Sequence, residues 1–190
     1  MDNSDICGFI DDTNEELCAR WQLLGAFYPF SRNHNGLGYM DQDPGFFGDV
    51  VGDLTREVMR IRYRFLPYLY TLFYQVNAEK KICVSCFVTY IMFSSQHFTR
   101  GDTVARALWD EFPRDSNTWN LDRQFLWGSS LMVSPVLDQG ATSKEVYFPD
   151  ARWYEITYWL SDDILEEMPF RKTIATLGRI DFHLDFFSKL

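Results

Sequence analysis

Basic residues are scarce in this 190-residue chain: 18 Lys and Arg stand against 27 Asp and Glu, for a net charge of -9. No cluster of Lys or Arg stands clear of the acids, so the chain offers no phosphate-binding surface and nucleic acid is not an expected partner. Long hydrophobic runs are also missing. The longest, Ile82 to Phe93, is about a dozen residues, whereas a helix that spans a bilayer needs roughly 20, so no transmembrane segment is expected. The opening Met1-Asp2-Asn3-Ser4-Asp5 is polar and acidic, without the charged start and apolar run of a signal peptide. Cysteine is limited to four residues, too few for a scaffold built on disulfides. They fall into two local pairs, Cys7 with Cys18 and Cys83 with Cys86. Cys83-Val84-Ser85-Cys86 has the spacing of a zinc half-site, but His97 has no close Cys or His neighbour to complete a second half. No metal and no cofactor is expected.

Apolar residues make up 46% of the chain, enough to bury a core. The unusual feature is 17% aromatics: six Trp, ten Tyr and seventeen Phe. This suits sugar-stacking clefts and aromatic-rich cores alike.

Along the chain, Asp5 to Phe9 is a short apolar-centred segment, and Asp11-Asp12-Thr13-Asn14 follows as a turn with capping potential. Leu17, Trp21, Leu24 and Phe27 repeat at three- and four-residue steps, which predicts a helix over 13–27 with Glu15 and Glu16 in its first turn. Phe27 to Asn35 is aromatic going in and polar coming out, the profile of a buried strand that delivers side chains to a rim. A loop rich in Gly and Pro precedes a long predicted helix over 49–76, carried by Val58, Ile61, Phe65, Leu69, Leu72 and Phe73 and bent by Pro67. Strand, helix, strand, long helix is the order found at the end of a β/α barrel. From Thr103 the texture changes to short β-branched and aromatic segments, 103–112, 124–137, 145–148 and 153–158, separated by polar turns. This half reads as an antiparallel β-sandwich segment, with a boundary between Ala78 and Asp102.

Retaining hydrolysis of a glycosidic bond needs two carboxyl groups roughly 5 Å apart. The acid pairs here, Asp11-Asp12, Asp110-Glu111, Asp162-Asp163 and Glu166-Glu167, read as solvated surface. No catalytic residue is assigned. Arg32-Asn33-His34-Asn35 is dense in donors and acceptors; it either holds sugar hydroxyls or caps the strand and satisfies loop backbone.

Asp5-Ile6-Cys7-Gly8-Phe9 and Phe27-Tyr28-Pro29-Phe30-Ser31-Arg32-Asn33-His34-Asn35 resemble the seventh- and eighth-strand motifs of family 31 glycoside hydrolases. The stretch from Arg62 to Tyr70 resembles that family's last barrel helix. Phe125 to Leu137, Tyr147-Phe148-Pro149 and Arg152-Trp153-Tyr154 resemble the β-domain that follows the barrel. The resemblance is to the digestive α-glucosidases of that family. It implies an α/β then all-β fold: the last two strands and helices of a (β/α)8 TIM barrel over 1–79, an insertion over 80–100, and a partial β-sandwich over 101–190 that is atypical after 158. It implies that His34 bonds hydroxyls of the glucose in the non-reducing-end subsite, that Phe9 walls that subsite and that Asp5 supports its polar floor. It pairs Cys7 with Cys18 in a disulfide, worth roughly 2–3 kcal/mol and suited to the secretory pathway or a luminal site.

The substrate it implies is an α-glucoside or malto-oligosaccharide, cleaved at terminal α-1,4-linked glucose. The family's nucleophile motif, Trp-x-Asp-Met-Asn-Glu, and its Gly-Asp-Asn acid/base motif both fail to occur in these 190 residues. The isolated chain is therefore expected to be inactive. It reads either as a non-catalytic carbohydrate-binding or interaction module, or as a truncated product with little function of its own.

Overall fold

The computed structural model describes residues 5–78, 103–155, 172–175 and 184–189. Helix α1 spans Glu15–Gly25. It begins where Asn14, in an extended conformation, accepts a 2.9 Å hydrogen bond from the Leu17 amide, and Glu15 and Glu16 follow in the favoured first turn. Its buried face is not the expected apolar stripe. Cys18, Ala19, Arg20, Gln22 and Leu23 point inward, whereas Leu17 is exposed. The interior on this side takes a disulfide and two hydrogen-bonding side chains, so polar residues hold positions that a hydrophobicity pattern assigns to solvent.

Helix α2 spans Asp49–Ala78 and carries Pro67 within it. Proline at that position removes one amide donor and frees the Tyr63 carbonyl four residues back. Tyr63 lies on the exposed side of the helix. Val58, Leu69 and Leu72 are buried as expected, but Phe73 stays exposed.

The segment after α1 is not a strand. The amides of Phe27 and Tyr28 bond back to Leu24 and Gly25, which prolongs the helix end as turns. Arg62 of α2 then collects the carbonyls of Ala26, Tyr28 and Pro29. With the Tyr28 and Pro29 carbonyls engaged by a guanidinium and the proline lacking a donor, the first part of this stretch does not pair as a strand. Burial pushes the Arg62 guanidinium below its ordinary pKa. What remains of pairing between the two amino-terminal segments is a single parallel bridge, Ile6 to Asn33, with the Ile6 amide donating to the Arg32 carbonyl at 2.9 Å.

In the second half, β1 (Ala105–Ala107) leads into a short helix α3 (Leu108–Glu111) where a longer strand was expected. Strands β2 (Phe125–Trp127) and β3 (Leu131–Pro135) form a hairpin, followed by β4 (Ser143–Val146), β5 (Trp153–Glu155), β6 (Lys172–Ala175) and β7 (Leu184–Lys189). All pairings among the named strands are antiparallel. The order is β1-β2-β3-β7-β5 in one sheet, with β4 and β6 paired in a second ladder. The β2–β3 turn needs Gly128: its φ is +56°, and a Cβ there would lie 2.4 Å from Leu72 of α2. The expected 80–100 insertion, with Cys83, Cys86 and His97, lies outside the described residues, as does the 156–158 end of the last expected β segment.

Alternation along β2 and β3 divides the interior. Phe125, Trp127, Leu131 and Val133 join Leu23, Phe27, Val58, Leu69 and Leu72 in one cluster, while Leu126 and Met132 turn the other way to meet Leu108, Val146, Phe148 and Trp153. The first cluster unites the two halves. Directional contacts reinforce it: the Trp127 indole donates to the Phe27 carbonyl at 2.7 Å, and the Tyr68 hydroxyl donates to the Trp127 carbonyl at 2.9 Å.

Candidate sugar-binding wall

The parallel bridge fixes a direction. Because both segments run the same way through Ile6 and Asn33, the residues that follow each emerge on the same side. Cys7 and Gly8 follow Ile6 with φ values of 72° and 94°, a left-handed kink that turns the chain out of strand geometry and delivers Phe9. His34 follows Asn33 directly. Their rings meet with centroids 5.5 Å apart at 46°, and the Gly36 amide donates to the Phe9 carbonyl at 2.9 Å, closing the same edge. Phe9 is 45% exposed and His34 is exposed too. The pair is a solvent-facing aromatic and imidazole surface, not part of the core. Such a surface offers one apolar face for the C–H side of a sugar ring and one hydrogen-bonding edge for its hydroxyls.

Asp5 lies one residue before the bridge, and Arg32 lies one residue before Asn33. The Arg32 Nε and Nη2 both donate to Asp5 Oδ1, at 2.9 and 2.6 Å. The Asp5 side chain is 15% exposed against 53% for Arg32, so the guanidinium stands between the carboxylate and solvent. The structure thus brings the Phe9 and His34 rings together and pairs Asp5 with Arg32. Among the described residues no group of three or more His, Cys, Asp or Glu is arranged to hold a metal ion.

Cys7 and Cys18 form the disulfide, tying the kink before Phe9 to the buried face of α1. Two contributors escaped sequence reasoning. Arg32 was visible only as one member of a polar run, and its partner lies 27 residues away. Gln42 sits in a Gly- and Pro-rich loop without any periodic signal, yet it is only 5% exposed. Its Nε2 lies within hydrogen-bond distance of the Ile6 carbonyl (3.0 Å), the Gly8 carbonyl (3.0 Å) and Asn33 Oδ1 (2.8 Å). Neither residue type nor spacing signals such a contact before the loop is folded.

Comparison with known proteins finds two family matches in this chain. Residues 1–72 match the glycosyl hydrolases family 31 TIM-barrel domain and residues 101–182 the glycosyl hydrolase family 31 C-terminal domain. Lysosomal alpha-glucosidase of Mus musculus is 43% identical over 183 residues, covering 93% of this chain and 17% of that protein. Intestinal sucrase-isomaltase of Homo sapiens is 47% identical over 154 residues, covering 80% of this chain and 7% of that protein. The chain therefore spans less than a fifth of the length of either relative. Among solved structures, a family 31 dextranase of Flavobacterium johnsoniae in complex with glucose superposes over 97% of this chain and 20% of its own, with a TM-score of 0.72 at 29% identity. With residues 1–72 and 101–182 matched to two domains of one family, the chain belongs to glycosyl hydrolase family 31.

Proposed function

We propose that this chain supplies part of the glucose-binding wall of a family 31 α-glucosidase, the part built from Phe9, His34 and Asp5. The observation that carries this reading is the exposed Phe9–His34 ring pair downstream of the parallel bridge. In β/α barrels, active-site residues gather at the carboxyl ends of the strands. Phe9 stacks on the sugar face, His34 bonds its hydroxyls, and Asp5 acts through Arg32, holding the end of the second segment against the first. The substrate is a malto-oligosaccharide or related α-glucoside with a terminal α-1,4-linked glucose, which the parent enzymes cleave with retention. Residues 1–79 are the end of the catalytic barrel, 80–100 an insertion and 101–190 a partial β-sandwich domain, atypical after 158.

Neither family carboxylate motif occurs in the sequence, so the 190-residue chain binds sugar without turning it over. The site operates in the secretory pathway, a placement supported by the Cys7–Cys18 disulfide, which persists in oxidising compartments. Relatives whose names place them in the lysosome or the intestine agree with it. Among the described residues no helix is long and apolar enough to cross a membrane.

Titration calorimetry with maltose tests the wall. The full chain is expected to bind with a dissociation constant in the millimolar range, about -4 kcal/mol, and His34→Ala is expected to weaken this by about tenfold through the loss of hydrogen bonds to hydroxyls. No binding at any accessible concentration, or equal affinity in His34→Ala, contradicts the assignment.

A further inference from the structure

We propose that Gln42 is a positioning residue: its side-chain amide clips the two segments that present Phe9 and His34, doing there what strand pairing would do in a continuous sheet. The inference rests on the sugar-wall reading for its consequence, and on the geometry alone for its mechanism. Only one bridge joins the two segments. Immediately beyond it, Cys7 and Gly8 adopt left-handed φ values, and the bridge is not continued into a ladder. Buried carbonyls left without donors are costly. The Gln42 amide reaches both at 3.0 Å and, with the same nitrogen, reaches Asn33 Oδ1 on the other segment at 2.8 Å. Asn33 answers through its own amide, which donates to the Gln42 backbone carbonyl at 2.7 Å.

The clip therefore touches one residue on each side of the Cys7 kink and the residue directly before His34. Its position at 5% exposure removes competing water, so the amide orientation is fixed by protein partners. Two other side-chain ties cross between the segments, Arg32 to Asp5 before the bridge and the Asn33 amide to Cys7 Sγ at 3.9 Å. Displacing the amide releases the kink on one side and the Asn33 side chain on the other, and the ring separation of 5.5 Å is then no longer held. Gln42 touches neither the ring faces nor any sugar; it acts through Ile6, Gly8 and Asn33.

The test uses the full chain and its Gln42→Met variant, which keeps the length of the side chain and removes every donor. Two quantities are read: the nuclear Overhauser contact between the Phe9 and His34 rings, and the dissociation constant for maltose, with the thermal midpoint recorded alongside. Expected are loss of the ring contact and about tenfold weaker binding, while Arg123→Ala, which removes an exposed ion pair with Asp138 in the second half, changes neither. A Gln42→Met chain that melts earlier but keeps both the ring contact and its affinity overturns the proposal, because it shows stabilisation without positioning. If maltose binds neither chain but Gln42→Met still abolishes the ring contact, the clip stands and the sugar-wall reading falls. Should Gln42→Met fail to fold, hydrogen exchange of the Gln42 side-chain amide in the unmutated chain decides: protection supports the clip, and exchange at the rate of a free amide overturns it.

Discussion

At the scale of single residues, the junction between the two halves depends on a few groups with several partners each. Glu16 Oε1 accepts from Arg20 Nε and Nη2, at 3.0 and 2.8 Å, and from the Gly140 amide at 2.6 Å. Arg20 in turn donates to the carbonyls of Val136 and Ala141. The Gly140 hydrogen bond, then that from Arg20, hold the Glu16 carboxyl below the ordinary carboxylate range. A depressed pKa in the folded state means stability that is fully present above the unfolded value and is lost as pH falls through the folded value. Glu16→Gln is therefore expected to lower the thermal midpoint at neutral pH, with the gap to the unmutated chain closing as the pH drops below about 4. Melting curves across that range check it, and a gap that is constant with pH contradicts it. None of these partners is near Glu16 in sequence except Arg20. Their i, i+4 spacing was readable, whereas the contacts with residues more than a hundred positions away were not.

Among elements, α1 and α2 were legible because amphipathic periodicity and an N-cap are local signals. The aromatic segment after α1 misled for a physical reason. Its composition suits a strand, but Arg62 satisfies three of its carbonyls from a helix 33 to 36 residues away. Arg62 also lies over the Trp127 ring at 5.9 Å, joining α2, the post-α1 turn and β2 at one point. Arg62→Met keeps much of the packing and leaves those carbonyls without a donor. The expected cost is about 3 kcal/mol, measured by denaturant unfolding, with the loss shared by both halves in a single transition. A cost below about 0.5 kcal/mol would place Arg62 among ordinary surface residues. The strands of the second half were legible as β-structure from their alternation and turns. That Leu108–Glu111 turns helical was not, since a four-residue helix has no periodicity to read.

For the molecule as a whole, membership of the family was carried by motifs, and both family matches agree with it. The cohesion between the parts lay in long-range packing that no local pattern encodes: Phe27 against Trp127, with ring centroids 5.3 Å apart, and the core shared by α1, α2 and the sheet. The candidate site was legible in part. His34, Phe9 and Asp5 were named from motif resemblance, whereas the supporting Arg32 and Gln42 emerged only when the loop was placed in space. The disulfide links the site to this larger body. Reducing Cys7–Cys18 is expected to lower stability by about 2–3 kcal/mol and to loosen the kink that presents Phe9. Unfolding with and without a reductant checks the first effect, and equal midpoints contradict it.

In the reading proposed above, this chain carries a sugar wall without the chemistry of cleavage. One nuclear magnetic resonance titration of the full chain with maltose tests it most directly, because the same spectra follow the Phe9 and His34 ring signals and the anomeric protons of the sugar. Saturable shifts at Phe9 and His34, with the maltose signals unchanged over hours, are the predicted result. Unmoved ring signals, or glucose accumulating in the tube, would contradict it.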